Sequence, residues 1–498
     1  MALFSIFKRK EEKKPPLRKR QYSGAVVGRL FNDFVASARS PDEEIKAAIK
    51  LLRERARDLA RNNEYAKRYV TLAKVNVVGD RGVNLQVKAR NDNGAFDNIG
   101  NDAIENAWNR WGRLGTCTVD GKLSWVDAQR MFIECLARDG EVLIRHVRYP
   151  NEYGYAIEFI EPDLLDETYN VNLQNGNKIR MGVELDQFNR PVAYHLLSYH
   201  PGDTTYNISK GDKYIRIPAE NMIHCYLQER AGQSRGVPPM SVAISSLKML
   251  HGYREAELVA ARVGASKMGF FTSPAGDGFA ADDEVNRVPI MEAEPGTFHQ
   301  LPEGVSFQQF DPTHPTSAFS EFEKAILRGI ASGLGVSYTS LANDLEGVSY
   351  SSIRQGTLED RDNWKLMQSY LIQHFVEPIY RRWLLSAMEN AAINLPASRF
   401  DKFADATIFR ARGWQWVDPL KEINAAVVGL NNGIMSMQDV ANQYGRDVEE
   451  TFTQIRADKD LATDFGLKFA FEPFGEKQPA PAQTEPGIDA ASAMNENT

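Results

Sequence analysis

The chain has 498 residues, 43% of them hydrophobic and 25% charged, with a formal net charge of −7. That length allows a sizeable core spread over about three units, and the composition excludes a fibrous or wholly disordered chain. No run approaches the ~18 consecutive apolar residues of a membrane span, and the acidic balance argues against a strong general affinity for nucleic acid.

In chain order, MALFSIFKRKEEKKPPLRKRQ opens with a short apolar patch followed by eight Lys or Arg against two Glu. A secretory signal has the reverse order, charge before apolar run, so export is not expected and residues 1–40 read as a basic arm. Cys117, Cys135 and Cys225 form no CxxC pair and are odd in number, which predicts reduced, packed thiols.

Ser40-Pro41-Asp42-Glu43 has a cap residue, Pro at the first helical position and an acid three after the cap, and Ile45, Ile49, Leu52, Ala56 and Leu59 then recur at helical spacing. A second helix is predicted from about Tyr65 to Val75, and Val83, Leu85, Val87 and Ala89 alternate as a strand. Helices around 104–111 and 125–138 follow, the latter stopping at Asp139-Gly140. EVLIRHV, YAIEFIEP, KIRMGVEL, PVAYHLLS and YIRIP then read as strands, with DQFNRP as a hairpin turn. Residues 41–237 are therefore expected to form an α+β domain.

From Pro238 the pattern turns helical for about 40 Å, to roughly Lys267. Residues 269–315, rich in Gly, Pro and acids, predict a small loop-rich module. Phe319, Phe322, Ile326 and Ile330 mark the next helix, with Lys324 and Arg328 one turn apart on its surface. After GLGVSYTSLANDLEGVSYSS, helical spacing resumes through Ile353, Trp364, Leu371, Phe375 and Trp383, and Pro378 should kink that helix. Asp418-Pro419 starts a shorter helix, Gly433 ends it, and Ser436 with Asp439 caps another. Residues 473–498, with their Pro, Gln, Ala and Glu, predict a disordered tail.

The chain lacks the GxxxxGK[ST], HExxH, GxSxG and EF-hand patterns, so no catalytic residue, metal ligand or cofactor is expected. His195, His200, His224 and Cys225 match no zinc spacing and read as structural residues. Asp360 and Asp362, flanking Arg361, read as a solvated helix face.

Three runs carry a resemblance to a known family. They are ERAGQSRGVPPMSVAISSLKML, GLGVSYTSLANDLEGVSYSSIRQG and RGWQWVDPLKEINAAVVGLNNGIMSMQDVANQYGRDVEETFTQI, in that order. Together they resemble the lambda-type portal proteins of tailed bacteriophages, over about residues 65–465. The resemblance implies an α+β wing at 41–237, a first stem helix at 238–268, a clip at 269–315 and a second stem helix at 316–334. It further implies a tunnel loop at 335–352, a long kinked helix at 353–390 and a helical crown at 391–472.

It also implies a homo-oligomeric ring, twelve copies in the usual case, at one capsid vertex of the virion, assembled in the host cytoplasm. Double-stranded DNA would pass through it during packaging and ejection. Expected partners are the terminase large subunit, the major capsid and scaffold proteins and a tail-adaptor protein, with no membrane and no enzymatic activity.

Head-to-tail contacts between identical subunits close into a ring when the rotation permits, and duplex DNA, stiff over about 50 nm, passes such a channel as a rod. Strong phosphate contacts would slow it. A loop carrying Tyr338, Ser340, Asn343, Asp344, Glu346 and Ser349 without a single base fits a lining that must not stick. Lys324 and Arg328 are either a solvated or inter-subunit pair or a basic ring facing DNA. The clip acids Asp277, Asp282, Asp283 and Glu284 are either a solvated loop or a docking surface for the packaging ATPase. Two rival expectations are a nucleic-acid-processing enzyme, which would need a carboxylate cluster holding a divalent metal, and a monomeric interaction scaffold.

Overall fold

The computed structural model describes residues 38–203, 213–265, 269–272, 306–309, 318–414, 419–443 and 446–467. Most of the basic arm, the acids Asp277, Asp282, Asp283 and Glu284, and the tail 473–498 lie outside the described residues.

The first helices are α1 (Pro41–Lys46), α2 (Ile49–Asn62) and α3 (Glu64–Val77). The single helix expected from Pro41 is thus two, because Ala48 leaves helical geometry at φ −121°. Asn63, in extended backbone, ends α2, and its side chain accepts from Tyr65 N and Ala66 N to cap α3. Strand β1 (Asn84–Val87), α4 (Asn98–Trp111) and α5 (Trp125–Asp139) follow. A reciprocal Ser124–Asp127 box starts α5, and Gly140 at φ +82° ends it.

The sheet region comprises β2 (Glu141–Arg148), β3 (Tyr155–Ile160), β4 (Val171–Asn172), β5 (Lys178–Arg180), β6 (Val183–Leu185), β7 (Pro191–Leu197), β8 (Tyr214–Pro218) and β9 (Met222–Tyr226). These form two antiparallel sheets in the orders β3-β2-β9 and β4-β5-β6-β7-β8. DQFNRP is the β6–β7 turn, with Asn189 at φ +62°. KIRMGVEL, expected as one strand, is two, since Met181 and Gly182 both adopt positive φ and turn the chain back on itself.

Next, a short 3-10 turn at Pro239–Val242 precedes α6 (Ile244–Ala265), followed by the pair β10 (Gly269–Thr272) and β11 (Ser306–Gln309), then α7 (Ala318–Gly333) and α8 (Tyr338–Ala342). The long helix is α9 (Tyr350–Leu371) and α10 (Glu377–Glu389), joined by a π turn at Ile372–Val376. The irregularity therefore falls just before Pro378, whose ring lacks the N–H an unbroken ladder would use. After α11 (Phe400–Ala404), strand β12 (Thr407–Arg410) pairs antiparallel with β1, Leu85 opposite Phe409. Part of the segment expected to be a helical crown is thus a strand seated on the α+β unit. Finally come α12 (Pro419–Asn431), α13 (Met437–Gln443) and α14 (Val448–Asp464).

One apolar core runs from α3, α4 and α5 through the ends of α6 and α7 into α9 and α10. Its centre is aromatic: Trp108 lies 4.9 Å from both Trp111 and Trp383, and Phe375 stacks on Phe132 at 4.7 Å and on Trp125 at 5.1 Å. Such rings supply large apolar burial together with specific edge and offset contacts.

Candidate nucleic-acid interface

The segment between α7 and α9 is built on buried anchors. Leu334, Val336 and Leu341 are all buried, and Ser337 caps α8 by accepting from Ser340 N. Asp360, about three turns into α9, is 8% exposed. Its carboxylate accepts from Ser337 N and from the hydroxyls of Ser337 and Ser340, each at 2.7 Å. Expected to be a solvated surface acid, Asp360 is instead the acceptor that holds α8 in place, because the cap's own hydroxyls are turned toward α9. From the other side Arg68 Nε of α3 donates to Ser340 O at 3.1 Å, and Asn363 Nδ2 donates to Gly335 O at 3.0 Å.

Beyond α8, Asn343 adopts φ +53° and ends the helix. The Tyr338 hydroxyl donates to Asp344 Oδ2 at 2.7 Å. Lys324 Nζ of α7 reaches Asp344 at 3.5 Å and Glu346 at 3.6 Å, while the Arg328 guanidinium lies 5.5 Å from the Tyr338 ring centre. The hydrogen bond from Tyr338, together with the Glu346 N–H and Lys324, lowers the Asp344 carboxyl, and burial plus Asp344 pushes the Tyr338 phenol up to about 12. At neutral pH the cluster therefore holds an ionised acid and a protonated phenol, with Lys324 Nζ beside the acid.

Of the residues singled out in sequence, Tyr338, Asp344, Glu346, Lys324 and Arg328 come together. Ser340 belongs to the Asp360 network, Asn343 is the hinge between the two, and Ser349 stands apart as the cap of α9, accepting from Ser352 N. Lys324 is engaged within its own chain, and Arg328 keeps an exposed guanidinium.

A second polar cluster lies under the Gln-Ser-Arg-Gly-Val-Pro-Pro run. Gly140 and Gly236 approach so closely that a Cβ on Gly236 would sit 2.2 Å from Gly140 O, and one on Gly140 would sit 2.2 Å from the Val237 carbonyl carbon. Only glycine permits this approach, and it carries Arg235 into the interior. There Arg235 grips Glu141 bidentately at 2.6 and 2.8 Å and donates to Leu165 O and Met181 O. Arg53 and His224 complete the shell of Glu141 at 2.9 and 3.0 Å. Burial alone would raise the Glu141 carboxyl, but Arg235 and His224 outweigh it and hold it well below the usual range. The pair fixes the chain just before α6.

His195 pairs with Glu184 at 3.0 Å rather than with other histidines. His200 joins Glu161 and Asp163, whose ligand-capable atoms lie within 4.8 Å of one another; the Arg57 guanidinium already sits against both carboxylates. Among the described residues, no helix is long and apolar enough to cross a membrane.

The sequence model for the family described as phage portal protein, lambda family, matches residues 27–368. A probable portal protein of Halomonas phage phiHAP-1 is 37% identical over 455 residues, covering 90% of this chain and 87% of that one. Portal protein B of Escherichia phage lambda is 22% identical over 486 residues, covering 87% and 89%. Among solved structures, a chain from the neck of a native GTA particle computed with C12 symmetry aligns at 14% identity and a TM-score of 0.40, over 77% of this chain and 91% of that one, a likeness too loose to bear on the fold.

Proposed function

The chain belongs to the lambda family of phage portal proteins and has the function of one, and from that premise we propose that its copies close head to tail into a ring of twelve at a single capsid vertex. Double-stranded DNA enters through the ring during packaging and leaves through it on ejection. The ring docks the terminase large subunit on one side and a tail adaptor later, meets capsid and scaffold proteins during assembly in the host cytoplasm, and hydrolyses nothing itself.

In this reading residues 41–237 are the wing, α6 and α7 the stem, 269–315 the clip, 335–352 the tunnel loop and α12 to α14 the crown. The observation that carries ring closure is the unpartnered apolar surface on the helices outside the α+β unit. Met249 and Leu258 on α6, Leu366 on α9, Leu420 on α12 and Leu461 on α14 are each more than half exposed, and neither α13 nor α14 buries a residue. Such exposed apolar side chains offer other copies a surface to bury, and heterologous contacts between copies generate a closed ring where the rotation closes.

The Tyr338–Asp344–Lys324 cluster supports the channel role. Lys324 is paired within the chain, which leaves Arg328 as the exposed base of the cluster, so the segment offers passing phosphates fewer sticky contacts than two free cations would. Light scattering on the purified protein tests ring closure: a particle of many chain masses is expected, and a particle of one chain mass at every concentration would refute it.

A further inference from the structure

We propose that the cleft enclosed by β2, β3, β8 and α10 is a phosphate-binding site, taking the phosphoryl oxyanion of a nucleotide or of a nucleic-acid backbone. The cleft lies between the α+β unit and α10 and is separate from the α7–α9 segment assigned to the channel.

Four arginines are among its lining residues, Arg145 and Arg148 from β2, Arg216 from β8 and Arg382 from α10, with one carboxylate, Glu389. Two of the four are already compensated. Arg216 Nε meets Glu184 at 2.8 Å, and Arg145 stands 3.7 Å from Glu158. The other two are not. Arg382 donates to the neutral amide oxygen of Asn221 at 2.9 Å, and Arg148 has no acceptor among the described residues. Two uncompensated cations on different elements, facing one space, are unusual in a chain of net charge −7 and make a local positive potential that its surroundings do not supply.

The inner wall adds a neutral donor system. His146 Nδ1 and the Tyr155 hydroxyl are 2.6 Å apart. Burial raises the Tyr155 phenol, so it stays protonated, and burial together with Arg382 pulls the His146 imidazole down to about 4, so it stays neutral. With the phenol donating to Nδ1, the imidazole proton sits on Nε2 and remains free to donate. The space is about 670 Å³, in the range of a nucleotide-sized ligand and more than a single carboxylate fills. Guanidinium forks match phosphate oxygens bidentately, which favours a phosphoryl group over a compact inorganic anion such as chloride.

The test is titration calorimetry of the full-length protein at low salt with inorganic phosphate, a deoxynucleoside 5′-monophosphate and a short DNA duplex. Arg148→Gln, in which an exposed side chain is replaced, and the double variant with Arg382→Gln are compared with Arg81→Gln, a change at an exposed arginine elsewhere. Thermal melting verifies that each variant is folded. We expect saturable binding of a phosphate probe, weakened about tenfold by Arg148→Gln and further in the double variant, with Arg81→Gln unchanged. Preference for the duplex assigns the ligand to nucleic acid, and preference for the nucleotide assigns it to a small phosphate ester. Absence of saturable binding of all three probes, or equal affinity in the wild type and folded Arg148→Gln, would overturn the proposal.

Discussion

The thiol of Cys225 on β9 donates to the carbonyl of His374 at 3.4 Å. In an unbroken α-helix that carbonyl would be paired by residue 378, which is proline. The strand thus supplies what Pro378 withholds, at the π turn between α9 and α10. Removing the thiol by Cys225→Ala is expected to lower stability by about 1 kcal/mol in denaturant titrations. Made in a Pro378→Ala background, which restores an N–H, the same change should cost less. Strictly additive effects in that double-mutant cycle would contradict the relationship.

The Asp360 network makes a local prediction. Asp360→Ala leaves one backbone N–H and two hydroxyls without their acceptor, a loss of about 1–3 kcal/mol. Amide exchange at Ser337 and Ser340 should accelerate while the aromatic core stays protected. Unchanged protection at those two amides would show that Asp360 does not hold α8.

Glu141 is the most heavily committed acid described. Glu141→Ala would leave Arg235 buried without its carboxylate and Arg53 with Asp163 alone, which costs about 3–5 kcal/mol for a broken buried pair. A melting temperature within a degree or two of wild type would contradict the structure at this point.

Stability should fall on mild acidification. The His146 imidazole is pulled below its ordinary value by burial and Arg382, to about 4, so the unfolded chain binds its proton more readily. Its contribution is fully present above the unfolded value of about 6.5 and is lost as pH drops toward the folded one. His224, depressed by burial, acts in the same direction. Melting temperatures should decline between about pH 7 and 5, and less steeply in His146→Gln. An identical slope in that variant would remove His146 from the explanation.

Local signals were legible in the sequence. The Ser40 and Ser436 caps, the Gly140 stop and the β6–β7 turn depend on neighbours within a few residues, and so do their sequence signatures. What stayed hidden depends on partners far along the chain. Arg235 was visible as part of a run, but its partner Glu141 lies 94 positions away, at what reads as an ordinary strand start. Asp360 carried the pattern of a surface acid because its acceptor role is set by how α8 packs, not by helical spacing. β12 is only four residues long, too short for its alternation to stand out before β1 pairs with it. The grouping of Tyr338 with Asp344 was within reach locally, whereas their closure by Lys324 needed the fold.

In the proposed channel, the charge balance of the α7–α9 segment would govern how a duplex moves. The Glu346 side chain is 85% exposed, so Glu346→Lys should leave folding and ring assembly intact while adding a phosphate-binding cation to every copy. Packaging is expected to slow, with partial relief at higher salt. Packaging at the wild-type rate would argue that this segment does not face the duplex.

Top-view electron microscopy of the purified full-length protein, with the rotational symmetry counted directly, tests the central claim. A hollow annulus of identical subunits, twelve in number, with an opening wide enough for a duplex is expected. Solitary particles, or closed assemblies with no central passage, would contradict it.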